Sequence, residues 1–335
     1  MQAIEVSEEL LQGWVSIEKT EQGLKPWRIP YREVALFPPN GLSGHVETPA
    51  GVTVSLLSDT GDIRLEVEPS SVERLIDCVA DGELIATAVV PPGERIVSFS
   101  GLRRERKRID LYLSQVAPVT VVGLQIEDGA SWEPVVERRP RWLTYGSSIT
   151  QCASAASPAQ TWPAIASRAM QLQLTCLGYR GNCHLEPMVA RMMRDLPADF
   201  ISLCLGINVH NLSSYSIRTF RAAVIGFIEI VRERHADIPI LVISPIVSPS
   251  REDTPCVSGL TIQAIREEIE AALDALRQNG ADNLHYLHGL QLFGSEYSSY
   301  LPDGLHPDAE GYRIMGSRFE QWVVGEGIRE RVSRG

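Results

Sequence analysis

Three short segments, far apart in the chain, carry residue types that fit one acyl-transfer site: Gly146-Ser147-Ser148-Ile149-Thr150, Gly206-Ile207-Asn208 and Asp303-Gly304-Leu305-His306-Pro307. Serine-based ester chemistry needs a nucleophile, donors for a developing oxyanion, a base, and a group that orients the base. Ser148 offers the hydroxyl. Asp303 and His306 are three residues apart, so the carboxylate can accept the imidazole Nδ1–H and leave Nε2 free for a serine proton. Pro307 biases His306 toward an extended backbone and then opens a helix, tying this loop to its domain. Gly181 and Asn208 each follow a strand-like run. A glycine N–H can approach a substrate closely, and an asparagine amide is a neutral donor to charge that appears only in the transition state. Ordinary strand-end turns use the same residues, so the case rests on all the segments together. Thr150 stands where the second glycine of a G-x-S-x-G nucleophile elbow belongs, which sets that motif aside.

The elements that must position these residues differ between the two halves of the chain. From about residue 27 to 135 the pattern is strand-like, with Val52–Leu57, Ile63–Val67, Glu83–Val90, Arg108–Leu113 and Val119–Leu124 as short runs separated by turn residues. Many short strands at this spacing predict a β-sandwich or jelly roll. Glu137-Arg138-Arg139-Pro140 is the junction, giving a first domain over residues 1–136 and a second over 137–335. Beyond it, strand-like Trp142–Tyr145, Leu174–Leu177, Asp199–Leu205, Pro239–Pro245 and Leu284–Leu287 alternate with helical patterns. These predicted helices run from Ser157 to Met170, Ser216 to His235, Leu260 to Gln278 and Pro307 to Val324. Such alternation is the signature of a parallel sheet in an α/β domain. In that class of fold, sites lie beyond the carboxyl ends of the strands, where Ser148, Gly181 and Asn208 all fall.

Bulk properties narrow the function further. The 335 residues suffice for two cores, and 44% apolar with 22% charged residues is an ordinary globular composition. A net charge of −11 argues against a nucleic-acid partner. The one basic run, Arg103 to Arg108, reads as a solvated hairpin turn. None of the six cysteines forms a C-x-x-C pair, and no Cys/His array has zinc spacing, so neither a metal nor another cofactor is expected. The N-terminus has no basic start followed by an apolar stretch, and no run is apolar and long enough for a bilayer. A reduced, cytoplasmic protein with no membrane partner is therefore expected.

The segments around Ser148, Gly181, Asn208 and the Asp303/His306 pair resemble, in order, the blocks of the SGNH or GDSL-type hydrolase superfamily over roughly residues 141–325. The resemblance implies a flavodoxin-like three-layer α/β/α domain and ester hydrolysis or acyl transfer through an acyl-serine. It assigns Ser148, Asp303 and His306 as the catalytic triad. It also places the oxyanion hole at the Ser148 and Gly181 N–H groups and the Asn208 side chain, with no metal. Two departures stand out: Ser147 replaces the motif's aspartate, and Val209 replaces an aspartate that often follows the asparagine. A β-rich first domain before such a unit is similar to family 2 type carbohydrate esterases and to GDSL acyltransferases of polyketide tailoring. His184 and His210 lie close to the oxyanion donors and are candidates to line the substrate pocket.

The expected activity is hydrolysis of a small O-acyl ester, an acetyl ester of a carbohydrate or polar metabolite. The alternative is transfer of the acyl group to an alcohol, and a reading from another class is a non-catalytic glycan binder. The β-domain can feed the pocket, brace the catalytic unit or build a homo-oligomer.

Overall fold

Period-two alternation in Ile63–Val67 becomes a strand in the computed structural model, which describes residues 1–332. Ile63, Leu65 and Val67 are buried while Arg64 between them is exposed. The same logic builds the rest of the first unit, which comprises Met1–Val34, Gly44–Arg138 and Ser157–Gln160. Among the described residues it holds two six-stranded antiparallel sheets. Val121–Ile126 is central in one, between Leu24–Trp27 and Ile63–Val67. In the other, Lys107–Tyr112 lies between Thr53–Ser58 and Arg74–Ala80. One apolar cluster takes Leu65, Val121 and Leu124 from the first sheet and Leu56, Ile76 and Leu111 from the second. Two sheets with their inward residues in one core make a β-sandwich.

Strand Arg74–Ala80 has no clean alternation in the sequence and was not expected. Its central Asp77 is fully buried, against the usual reading of an aspartate as an outward residue. The carboxylate is satisfied there by Thr87 Oγ1 at 2.6 Å, Ser157 Oγ at 2.6 Å and the Ala159 N–H at 2.6 Å. Those last two bonds fix Ser157–Gln160 in this unit, although the segment follows the junction in sequence.

The second unit comprises Ala35–Ser43, Arg139–Ala156 and Thr161 onward. Its sheet is wholly parallel, with strands Arg141–Gly146, Gln173–Gly178, Phe200–Cys204, Ile240–Ile243 and Leu284–Leu287. In chain order these lie 2-1-3-4-5 across the sheet, the flavodoxin-like arrangement. Their burial is nearly continuous, as a sheet covered on both faces requires. Trp142 is fully buried and stacks at 5.1 Å on Phe319 of helix Ala309–Gly325, anchoring the first strand to one helical layer. Tyr145 stacks at 5.1 Å on Phe227 of helix Ile217–Arg232, which anchors it to the other.

The helix expected from Ser157 begins at Trp162 instead, because Thr161 Oγ1 caps the Ala164 N–H at 3.3 Å. The last helix begins at Ala309, two residues after Pro307, with Asp308 capping the Gly311 N–H at 2.8 Å. Helix Pro187–Asp195 was not foreseen. No helix among the described residues is long and apolar enough to cross a membrane.

Candidate active site

Ser148 is the first residue of a short helix, Ser148–Gln151, at the carboxyl end of the first strand. Ser147 precedes it as the helix cap, its Oγ accepting the Ile149 N–H at 3.2 Å. Serine and aspartate are both preferred at such a position, so replacing the motif's aspartate leaves the capping bond in place, worth about 1 kcal/mol. Val209, the other departure, is fully buried in the apolar core.

His306 reaches Ser148 from the other end of the unit, with Nε2 2.8 Å from the serine Oγ. Its Nδ1 lies 2.6 Å from Asp303 Oδ2. The carboxylate can only accept there, so Nδ1 carries the proton and Nε2 is the acceptor for the serine O–H. The second oxygen, Oδ1, accepts the backbone N–H of Leu305 at 2.9 Å and of His306 at 2.7 Å. Desolvation pushes the Asp303 carboxyl up, but the His306 ring and these two N–H groups outweigh it and hold it down at about 2. Ser248 Oγ donates to the Gly304 carbonyl at 3.0 Å and fixes the turn itself.

The second strand ends at Gly178, in register with Gly146, and the chain then turns through Tyr179–Asn182. Gly181 sits in this turn with φ of 69°, a left-handed conformation that glycine adopts without penalty. Gln151 Oε1, at the end of the nucleophile's helix, accepts the Arg180 N–H at 3.0 Å and holds the turn beside Ser148. Asn208 lies on the short helix Ile207–Leu212 that follows the third strand. Its Oδ1 accepts the Cys183 N–H at 3.0 Å. An N–H donor must face the oxygen of the amide, so this bond fixes which end of the Asn208 side chain is the NH₂ donor. Gly206, before that helix, has φ of 104°, and a Cβ there would stand 2.5 Å from Ile265 Cγ2. Only glycine fits both limits.

The two flanking histidines are each held by the protein. His184 Nε2 donates to the Gly181 carbonyl at 3.0 Å, and its Nδ1 pairs with Ser214 Oγ at 2.7 Å. His210 Nε2 donates to the Thr254 carbonyl at 2.9 Å, while its buried Nδ1 has no protein partner. Behind the oxyanion turn, Glu186 accepts the His184 N–H at 3.0 Å and the Tyr145 hydroxyl. Burial raises the Glu186 carboxyl above its ordinary range, and burial likewise lifts the Tyr145 phenol well above its own. Gln151, Ser248, Glu186 and Tyr145 were not singled out from the sequence. Gln151 alone left a trace there, being on the same helical turn as Ser148.

Ser148, His306 and Asp303 are thus joined by hydrogen bonds, with Ser148 at the carboxyl end of the first strand and Asn208 just beyond the third, the point where the strand order reverses. The GDSL-like lipase/acylhydrolase model matches residues 140–323. The chain belongs to the GDSL-like lipase/acylhydrolase family. It is accordingly an enzyme of the SGNH type. A second model, the N-terminal domain of SsfX3, matches residues 10–120. Among solved structures, a salicylyl-acyltransferase, SsfX3, from a tetracycline biosynthetic pathway is similar at 31% identity and a TM-score of 0.90, covering 97% of each chain. A putative GDSL-like lipase from Bacteroides ovatus is 22% identical with a TM-score of 0.77, over 94% of this chain and 95% of its own. A family two carbohydrate esterase from Clostridium thermocellum shares the fold at 14% identity and a TM-score of 0.65, over 83% of this chain and 92% of its own. No curated protein matches the chain. Membership in the GDSL-like family gives the spacing of Ser148, Gly181, Asn208, Asp303 and His306 a common chemical context.

Proposed function

We propose that the protein is an acyltransferase that carries an acyl group as an ester on Ser148 and passes it to an alcohol, with water as a competing acceptor. The observation that carries this reading is the unbroken relay from Ser148 Oγ to His306 Nε2 at 2.8 Å and from His306 Nδ1 to Asp303 at 2.6 Å. As the serine oxygen bonds to the acyl carbon, His306 takes its proton and Asp303 steadies the imidazolium. The tetrahedral oxyanion accepts hydrogen bonds from the Ser148 and Gly181 N–H groups and from the Asn208 amide. Collapse breaks the bond to the leaving group, which receives the proton from His306. The acceptor hydroxyl then attacks the acyl carbon, gives its proton to His306, and Ser148 leaves with that proton restored.

Preference for an alcohol over water is supported by the likeness to the salicylyl-acyltransferase at 31% identity through both halves of the chain, against 14% for the carbohydrate esterase. The hydrolysis expected from the sequence is the same chemistry with water in the acceptor place, and the outcome depends on how well the closed site excludes it. A small crevice of about 20 Å³ is lined by Ser147 and Leu305, the chain neighbours of Ser148 and His306, together with Ile149, Leu205, Ile246 and Val247.

The test is product analysis by mass spectrometry with p-nitrophenyl acetate and p-nitrophenyl benzoate, each with and without glycerol, a monosaccharide or a polyphenol. The proposal expects an acyl ester of at least one added alcohol to outgrow the free acid as acceptor concentration rises. Free acid alone, at a rate no acceptor changes, would reject transfer in favour of hydrolysis.

A further inference from the structure

The oxyanion turn is gripped by side chains that have no part in the relay. Tyr179–Asn182 is closed by the Asn182 N–H donating to the Tyr179 carbonyl at 3.0 Å, with the positive-φ Gly181 in third place. Two peptide units rotate about Gly181. One joins the Arg180 carbonyl to the Gly181 N–H, and the other joins the Gly181 carbonyl to the Asn182 N–H. A flip of the first would turn the proposed oxyanion donor away from the acyl carbon. Asn182, which is 6% exposed, holds that unit: its Nδ2 donates to the Arg180 carbonyl at 2.5 Å. Because N–H and C=O of one peptide point in opposite directions, fixing this carbonyl aims the Gly181 N–H. His184 Nε2 holds the second unit through the Gly181 carbonyl at 3.0 Å.

Asn182 keeps its orientation through a residue from far away in sequence. Ser43 Oγ donates to Asn182 Oδ1 at 3.2 Å, which commits the NH₂ end of the amide to Arg180. Ser43 closes a left-handed turn in which Asn40, Gly41, Leu42 and Ser43 have φ of 44°, 63°, 49° and 59°. Runs of this kind are unfavourable for residues with a Cβ, and they persist only where the surroundings determine them. Here buried Phe37 and Leu42 anchor the turn, joined by the Leu42 N–H to the Phe37 carbonyl at 2.9 Å.

We propose that Ser43, Asn182 and His184 are positioning residues that clamp the two peptide units about Gly181 and keep its N–H aimed at the developing oxyanion. The left-handed turn at Asn40–Ser43 is thus the means by which the first part of the chain sets the catalytic power of the second unit. The clamp rests on the reading of Ser148 as the acylated serine.

The experiment uses full-length Asn182→Ala, His184→Ala, His184→Gln and Ser43→Gly, the last because glycine accepts the positive φ while removing the hydroxyl. Each is assayed for kcat and KM on an aryl ester and for affinity to phenylboronic acid, which becomes tetrahedral on an active serine. A misaimed donor weakens only the tetrahedral state, so kcat for Asn182→Ala is expected to fall about a hundredfold at unchanged KM. Boronate affinity should fall by a similar factor. His184→Ala should lose about tenfold and His184→Gln, which retains a donor, should recover most of it, with Ser43→Gly losing severalfold. Equal kcat in all four folded variants, or a rise in KM with kcat intact, would overturn the clamp. Acylation of Ser148 in the unmodified protein, measured by mass in the same series, separates the two claims. If it is absent, the function proposed above fails; if it is present and equal in the variants, the clamp alone fails.

Discussion

The Asp303/His306 segment and the turn at Gly181 belong to the same unit, yet they are supported in different ways. Asp303 and His306 make their own support: three hydrogen bonds to the carboxylate come from residues within three positions of it. The turn at Gly181 is supported from nearby by His184 and from a distance by Gln151, Asn208 and Ser43, which are scattered over the chain. A segment braced mainly from within, with Ser248 holding its Gly304 carbonyl from outside, is weakened most when its own residues change. A turn braced from a distance can be weakened from many places, each by a little.

That difference predicts a graded series. His306→Ala removes the base outright, and kcat on an aryl ester should drop by about 10⁴–10⁶-fold, with the protein still folded by circular dichroism. Asp303→Asn should lose about 10⁴-fold. Because the Asp303 carboxyl titrates at about 2, its charge is present throughout the working range and is lost only as pH falls through that value. Asn208→Ala removes one oxyanion donor and should cost about 10²–10³-fold in kcat with little change in KM. The smallest effect on chemistry is expected from Gly206→Ala. Its burden is backbone strain at φ 104° and a clash with Ile265, read as a loss of about 1–3 kcal/mol in denaturant unfolding. Equal losses for Asp303→Asn and Asn208→Ala would erase the distinction between the two regions.

Legibility in the sequence follows the same division. Asp303 and His306 could be paired on paper because a spacing of three is itself the geometry. The positions of Ser148 and Asn208 beyond strand ends were legible because the parallel strands preceding them carry strong apolar signals and fix where their ends fall. The parallel sheet and the β-sandwich were within reach for that reason, whereas the 2-1-3-4-5 order followed only from the resemblance to SGNH hydrolases. Arg74–Ala80 was hidden by Asp77, a buried carboxylate whose three partners lie outside its own strand. Segments Ala35–Ser43 and Ser157–Gln160 each belong to the unit on the other side of the junction, a long-range exchange that no local pattern announces. Ser147 reads as a lost aspartate in the sequence, and its capping bond to Ile149 shows that a side-chain acceptor is kept at this position. His184 was noticed for its place near Gly181, but its two hydrogen bonds could not be read from composition or spacing.

The most direct test of the account is fluorophosphonate labelling followed by peptide mapping, comparing the unmodified protein with Ser148→Ala and His306→Ala. One adduct per chain on Ser148, absent in Ser148→Ala and strongly slowed in His306→Ala, is the predicted result. An adduct on another residue, or labelling of Ser148 at the same rate without His306, would contradict it.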